Sequence, residues 1–185
     1  MAERATFTLT VATSRDGFIA RGPGDAPHLW ASAEEQALFF ADVAAADWGV
    51  MGRATHTVAD RPDRRRIVFS TAAGTDDWRR PTQLWVDPTR LAPGDLAARV
   101  GTVRPLRHGL ILGGTRVHDW FLDHGAIDRV HLTVEPVTFG AGLALFTRHA
   151  GPAEAVLDAL GFRRLSVRTL NAAGTRHSVW SAGAG

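Results

Sequence analysis

The stretch that most limits what this chain can fold into is residues 110–121, LILGGTRVHDWF. Leu110, Ile111 and Leu112 form a continuous apolar run, the pattern of a strand buried on both faces. Gly113-Gly114 follows at once, and then Val117, Trp120 and Phe121 recur at helical spacing on one side. Paired glycines between a strand and a helix let the backbone approach a ligand where any Cβ would clash. The N–H groups of Thr115, Arg116 and Val117 open that helix without internal partners, at the positive end of its dipole, and so suit a phosphate. Taken alone, the same stretch also reads as a tight turn whose glycines serve packing only, so the rest of the chain has to decide.

Such a unit needs neighbouring strands and helices, and the sequence supplies them. Residues 7–13 alternate and are rich in β-branched side chains, which predicts a strand. A turn at 14–17 leads to a short extended piece at 18–20. The Gly- and Pro-rich loop at 21–27 reads either as a lid or as surface. Ser32 opens a helix to about residue 46, with Ala37, Leu38, Phe40, Ala41, Ala44 and Ala45 expected on its buried side. Further strands are expected at 48–51, 67–69, 84–86 and 129–134, and a helix over 96–103. Gly125 should stop the helix that follows Gly113-Gly114. Strands around Val167 and over 176–181 flank the turn 171–174 and form a hairpin. The alternation predicts an α/β fold: a mainly parallel central sheet with helices on both faces and a C-terminal antiparallel hairpin. At 185 residues it is expected to form one domain, residues 1–185.

Composition narrows the functional classes. No apolar run approaches membrane-spanning length, and no signal-peptide core follows Glu3-Arg4, so no membrane partner is expected. The absence of cysteine excludes disulfides and thiolate metal sites and suits a cytoplasmic protein. The sequence pI near 10.7 belongs to a formal net charge of only +2. With no Lys, Tyr or Cys, almost nothing titrates between histidine and arginine, so the value reports missing groups rather than a polyanion-binding surface. Nucleic acid is therefore not an expected partner. The eight histidines show no metal-ligand spacing, and no metal is expected.

A second strand–glycine–helix corner lies at Gly52-Arg53-Ala54-Thr55, and a polar pair, Ser70-Thr71, ends the next strand. Together with Ile111–Val117, these segments resemble the dihydrofolate reductase superfamily from Thr6 to Trp180. The likeness is strongest to the reductase domain at the C-terminal end of riboflavin-biosynthesis deaminase/reductases. The resemblance implies a dihydrofolate reductase-like fold and NADPH as cofactor. It implies that Gly52, Arg53, Thr55, Ser70, Thr71, Gly113, Gly114, Thr115, Arg116 and Val117 hold that cofactor. The glycines would meet the pyrophosphate, and Arg53 with Ser70-Thr71 the ribose 2′-phosphate. Thr115 stands where dihydrofolate reductases often have a third glycine. A planar cationic fork with hydroxyl donors is chemically suited to a dianionic phosphate.

The substrate side points to two branches. Glu35 follows Trp30 by five positions, with Phe39 four further on, a spacing similar to that of bacterial dihydrofolate reductases. That resemblance gives Glu35 the role of substrate-side acid, Thr133 that of its partner, and Trp30 and Phe39 the surrounding wall. The same glutamate also completes a capping box, Ser32-x-x-Glu35, in which its carboxylate would turn back to the Ser32 N–H. Ser14-x-Asp16-Gly17-x-Ile19-Ala20 resembles instead the opening of the riboflavin reductases, which puts Asp16 near substrate. Val58–Pro62 likewise resembles their Ala-Asp-Asp-Pro segment, making Asp60 a second acid candidate or else a solvated loop residue. The arginine those enzymes use for substrate phosphate falls near Gln36 here, unless Arg64–Arg66 takes its place. The expectation is an NADPH-dependent reductase of a pyrimidine- or pterin-like heterocycle, riboflavin-biosynthesis type, with a homodimer implied by the same branch. The alternatives are a true dihydrofolate reductase and a non-catalytic NADPH-binding sensor.

Overall fold

The computed structural model describes residues 4–183. In chain order its elements are β1 (Thr6–Thr13), β2 (Phe18–Ala20), α1 (Ala33–Ala45), β3 (Trp48–Gly52), α2 (Arg53–Val58), β4 (Arg66–Phe69), β5 (Asp77–Arg80) and β6 (Gln83–Val86). There follow α3 (Pro93–Val100), β7 (His108–Gly113), α4 (Thr115–Asp123), β8 (Arg129–Val134), β9 (Leu143–Ala144), α5 (Ala153–Ala159), β10 (Arg163–Thr169) and β11 (Arg176–Ser181). Nine strands form one sheet in the order β10-β11-β8-β1-β7-β3-β4-β6-β5, and β2 pairs with β9 apart from it. The run from β8 to β6 is parallel. Antiparallel strands close both edges: β11 and β10 at one end, β5 at the other. The expected α/β architecture and hairpin are present, with β5, β9 and α5 added to it.

The two faces of the sheet differ in chemistry. On one, Phe7, Leu9, Val50, Ile67, Leu84, Ile111, Val130, Leu132 and Trp180 join side chains of α3, α4 and α5 in the apolar core. Gly109 serves this packing, since a Cβ there would lie 2.5 Å from the Phe7 ring. On the other face, Thr8 and Thr10 of β1 align with Arg129 and His131 of β8, and Thr133 of β8 with His177 of β11. This polar face lies under α1. The helix is therefore turned from its expected orientation: Ala37, Phe40, Ala41, Ala44 and Ala45 are exposed or half-buried, Leu38 is not buried either, and Glu35 is the helix's buried residue. The reason is that the surface beneath it offers hydroxyl and imidazole partners. Asp42 turns inward to meet them, accepting from Thr10 and His131, Glu35 on the same helical face turns in with it, and the alanines turn away.

The helix expected at 96–103 starts and ends earlier. Pro93 fits the first turn, where no N–H is needed, and Asp95 accepts the Ala92 N–H at 2.8 Å.

Candidate active site

Strand order decides where the glycine corners meet. β7, β3 and β4 are neighbours and parallel, so their C-terminal ends bring Gly113-Gly114, Gly52-Arg53 and Ser70-Thr71 side by side. β7 inserts between β1 and β3, the kind of topological switch where open parallel sheets place their ligands. A cleft of about 1610 Å³ opens there, and all ten residues expected to hold the cofactor line it.

The two glycines of the β7–α4 turn are glycine for different reasons. Gly113 has φ +98° and a Cβ would sit 3.0 Å from His118 Nε2, so the fold itself demands it. Gly114 has φ −80°, and a Cβ there would meet only Thr55 Oγ1 at 3.7 Å, an ordinary contact. Among the described residues no atom comes closer to a Cβ at 114, and the bare backbone there lines the cleft. The N–H count at this helix start is smaller than expected, because the Val117 N–H donates to Gly114 O at 2.9 Å. The N–H groups of Thr115 and Arg116 have no partner among the described residues, while the Thr115 hydroxyl donates to Ala144 O at 2.7 Å and ties β9 to the turn. Neither Arg53 nor Arg116 has an acidic partner among the described residues, and both line the cleft.

His118 is buried beneath this turn, its Nδ1–H donating to Leu145 O at 2.9 Å. Burial drives its pKa down to about 4, against the opposing effect of that bond, so it packs as a neutral ring.

The same cleft is lined by Glu35, which is 5% exposed. Ser32 caps α1 by accepting the Glu35 N–H at 3.3 Å, but the reciprocal half of the capping box is absent. The Ser32 N–H and hydroxyl both donate to Glu135 Oε1, at 2.8 and 2.7 Å. Glu35 thus leaves its carboxyl free of hydrogen bonds among the described residues. Burial, then the charges of Glu135 and Asp42, push its pKa up to about 7. Phe39, one turn on, lines the cleft beside it. Arg61, Arg64 and Arg65 line the cleft as well, and Arg66 is buried with its Nη1 3.1 Å from His56 Nδ1. Residues 22–28 border the same cleft, which places the expected lid segment at its mouth.

Four candidates stand elsewhere. Trp30 packs edge-on against Phe139 at 5.1 Å, outside the cleft lining. Asp16 holds the loop after β8, accepting the N–H groups of Phe139 at 3.1 Å and Gly140 at 2.7 Å, so its carboxylate is spent on backbone. Asp60 forms a two-point ion pair with Arg80, at 2.5 and 2.8 Å, which turns it toward β5. Thr133 bonds His177 Nδ1 at 3.1 Å, because β11 places His177 directly across from it, and makes no bond to Glu35. Sequence reasoning missed Glu135, Asp42, His131 and His177. Asp42 lies seven residues after Glu35, on the same helical face. His131 and Thr133 alternate along β8, a polar face legible by its period of two. Glu135 follows that alternation just past the strand's end.

Comparison with known proteins follows the same lines. A riboflavin-biosynthesis-assigned protein of Shewanella sp. PV-4 superposes with a TM-score of 0.68 at 19% identity, over 95% of this chain and 98% of its own. Enterococcus faecalis dihydrofolate reductase, complexed with NADP(H), gives 0.67 at 17% identity over 95% of each chain. A Thermotoga maritima diaminohydroxyphosphoribosylaminopyrimidine deaminase/5-amino-6-(5-phosphoribosylamino)uracil reductase gives 0.68 at 16% identity, over 97% of this chain and 57% of the larger protein. These likenesses establish a dihydrofolate reductase-like fold. No curated protein matches the sequence. The family model described as the RibD C-terminal domain matches residues 5–173. That match runs over most of the chain, from before β1 into the turn after β10, and the chain belongs to the RibD C-terminal domain family.

Proposed function

We propose that this protein is an NADPH-dependent reductase of a pyrimidine-type heterocycle, of the riboflavin-biosynthesis kind. One observation carries the reading: a single cleft joins a bare-backbone, cation-flanked wall to one buried carboxyl that has no hydrogen-bond partner among the described residues. Gly114 supports the fit of a dinucleotide, since the space a Cβ would take is open and faces the cleft. Arg53, Ser70 and Thr71 would hold the 2′-phosphate, and Gly114 with the Thr115 and Arg116 N–H groups the pyrophosphate. When bound, NADPH supplies a hydride. The chain's own part is to orient the acceptor carbon toward the cofactor wall and to hold a proton at Glu35. A carboxyl with a pKa of about 7 is half protonated near neutrality and can give that proton to the nitrogen of a C=N bond as the carbon is reduced. Arg61 and Arg64 would meet an anionic tail of the substrate, in place of the cation that Gln36 does not provide.

Trp30 and Thr133 do not line the cleft, and neither do Asp16 and Asp60, so the choice of the riboflavin branch is supported by the family match rather than by these residues. The test is NADPH oxidation measured in parallel with a ribosylaminopyrimidine phosphate and with dihydrofolate. Turnover of the pyrimidine is expected. Turnover of dihydrofolate alone reverses the assignment, and NADPH binding without turnover of either makes the protein a sensor.

A further inference from the structure

We propose that Glu135 is a positioning residue for Glu35, freeing that carboxyl for the cleft and holding a negative charge against it. The proposal rests on the proposed role of Glu35 for its catalytic consequence, but not for its structural content.

A serine cap followed three residues later by glutamate normally closes on itself, the glutamate returning to the cap's own N–H. Here a residue 103 positions away occupies that place. Glu135 Oε1 takes both donors of Ser32, and Oε2 takes the Thr175 hydroxyl at 2.7 Å. Three donors hold a carboxylate that is 2% exposed. Asn171 completes the arrangement by donating to Thr175 Oγ1 and to Glu34 Oε2, both at 3.1 Å, so the turn of the terminal hairpin is pinned to the start of α1. With Ser32 satisfied from outside, Glu35 has no reason to fold back.

The charge has its own consequence. The charges that act on Glu35 are Glu135 after β8 and Asp42 on α1; the imidazoles of His131 on β8 and His177 on β11 act on Asp42, burial holds the His177 pKa down, and β1 carries no charged residue. Asp42 is paired with His131 at 2.8 Å and also accepts from Thr10. Glu135 has neutral donors and no cationic partner among the described residues, so its charge is the less compensated of the two. Burial disfavours a negative charge at Glu35 most, and the Glu135 charge adds to that effect ahead of Asp42.

The experiment is Glu135→Gln, which keeps size and hydrogen-bonding reach while removing the charge. Glu35 is followed directly by carboxyl-carbon NMR titration in the protein without substrate, and NADPH oxidation with the pyrimidine is followed over the same pH range. Expected is a Glu35 midpoint lowered by about one pH unit, within the range typical of a neighbouring charge. The alkaline limb of turnover should move down with it. A folded variant whose Glu35 midpoint is unmoved overturns the proposal, because a purely structural tie would lower the melting temperature and leave titration alone. A shifted midpoint in a protein that turns over no pyrimidine sustains the coupling and removes the reductase reading instead. If Glu135→Gln does not fold, Glu135→Asp, which withdraws the charge by one methylene, should give a smaller shift in the same direction, and none would be fatal.

Discussion

Glu35 holds two possible attachments, one to its own helix cap and one to the cleft, and the structure places it in the second. That choice has a stability cost whose sign follows from its pKa. The unfolded glutamate ionises near 4.5 and the folded one near 7, so folding favours the protonated form. No cost is present below about pH 4.5; it grows as pH rises toward 7 and is complete above it. Glu35→Gln should therefore stabilise the protein by roughly 3 kcal/mol or a little more at pH 8, because each tenfold change in proton affinity is worth about 1.4 kcal/mol, and leave it unchanged at pH 4. Turnover should fall by about 10²–10⁴, the usual loss for a general acid. Urea denaturation at the two pH values, with NADPH oxidation alongside, measures both. A variant equally stable at pH 8 and fully active would return Glu35 to a capping role.

The β7–α4 turn and helix α1 follow different physics. In the turn, every constraint is local: strand, glycine pair and helix start are contiguous. Gly114→Ala adds a methyl that meets only an ordinary contact inside the protein, so the melting temperature should hold within a few degrees. The same methyl stands where the pyrophosphate would lie, and NADPH affinity should drop at least tenfold, or about 1.4 kcal/mol. Gly113→Ala, forced into positive φ against His118, should instead destabilise the fold by about 1–3 kcal/mol. Thermal melts and NADPH titrations of the pair distinguish the roles; normal NADPH binding by folded Gly114→Ala would make the turn packing only. Helix α1 obeys no such local rule. Its apolar residues recur at helical spacing, yet they turn away from the sheet because the surface beneath is polar.

The cleft gathers α1, the starts of α2 and α4 and the end of β4 from distant parts of the chain, so a ligand spanning it should hold them together. NADPH at one hundred times its Kd would add about 2.7 kcal/mol of stability. For a chain of this size that corresponds to a rise in melting temperature of roughly 5–11 °C, at about 2–4 °C per kcal/mol. NADH, lacking the 2′-phosphate, should give a smaller shift. Arg53→Ala should lower the NADPH shift by about 3–5 °C at the same concentration, reflecting a tenfold weaker complex. The NADH shift should not change. Equal losses for both cofactors would remove Arg53 from the 2′-phosphate.

Alternation along β1, the apolar run of β7, the glycine corners at 52 and 113–114 and the terminal hairpin were all legible in the order of residues, because each depends on neighbours a few positions away. So was the meeting of the ten residues expected to hold the cofactor in one cleft, since parallel strands deliver their C-terminal ends to one edge. The substrate side was not legible in that way. Asp60 reads as an acid until Arg80 arrives from β5, Thr133 as a partner of Glu35 until β11 sets His177 against it, and Ser32 as Glu35's cap partner until Glu135 takes its donors. Each of these hydrogen bonds joins residues twenty to more than a hundred positions apart. A buried polar group goes to whichever partner the packed sheet brings within reach, and that is decided only when the strands have taken their places.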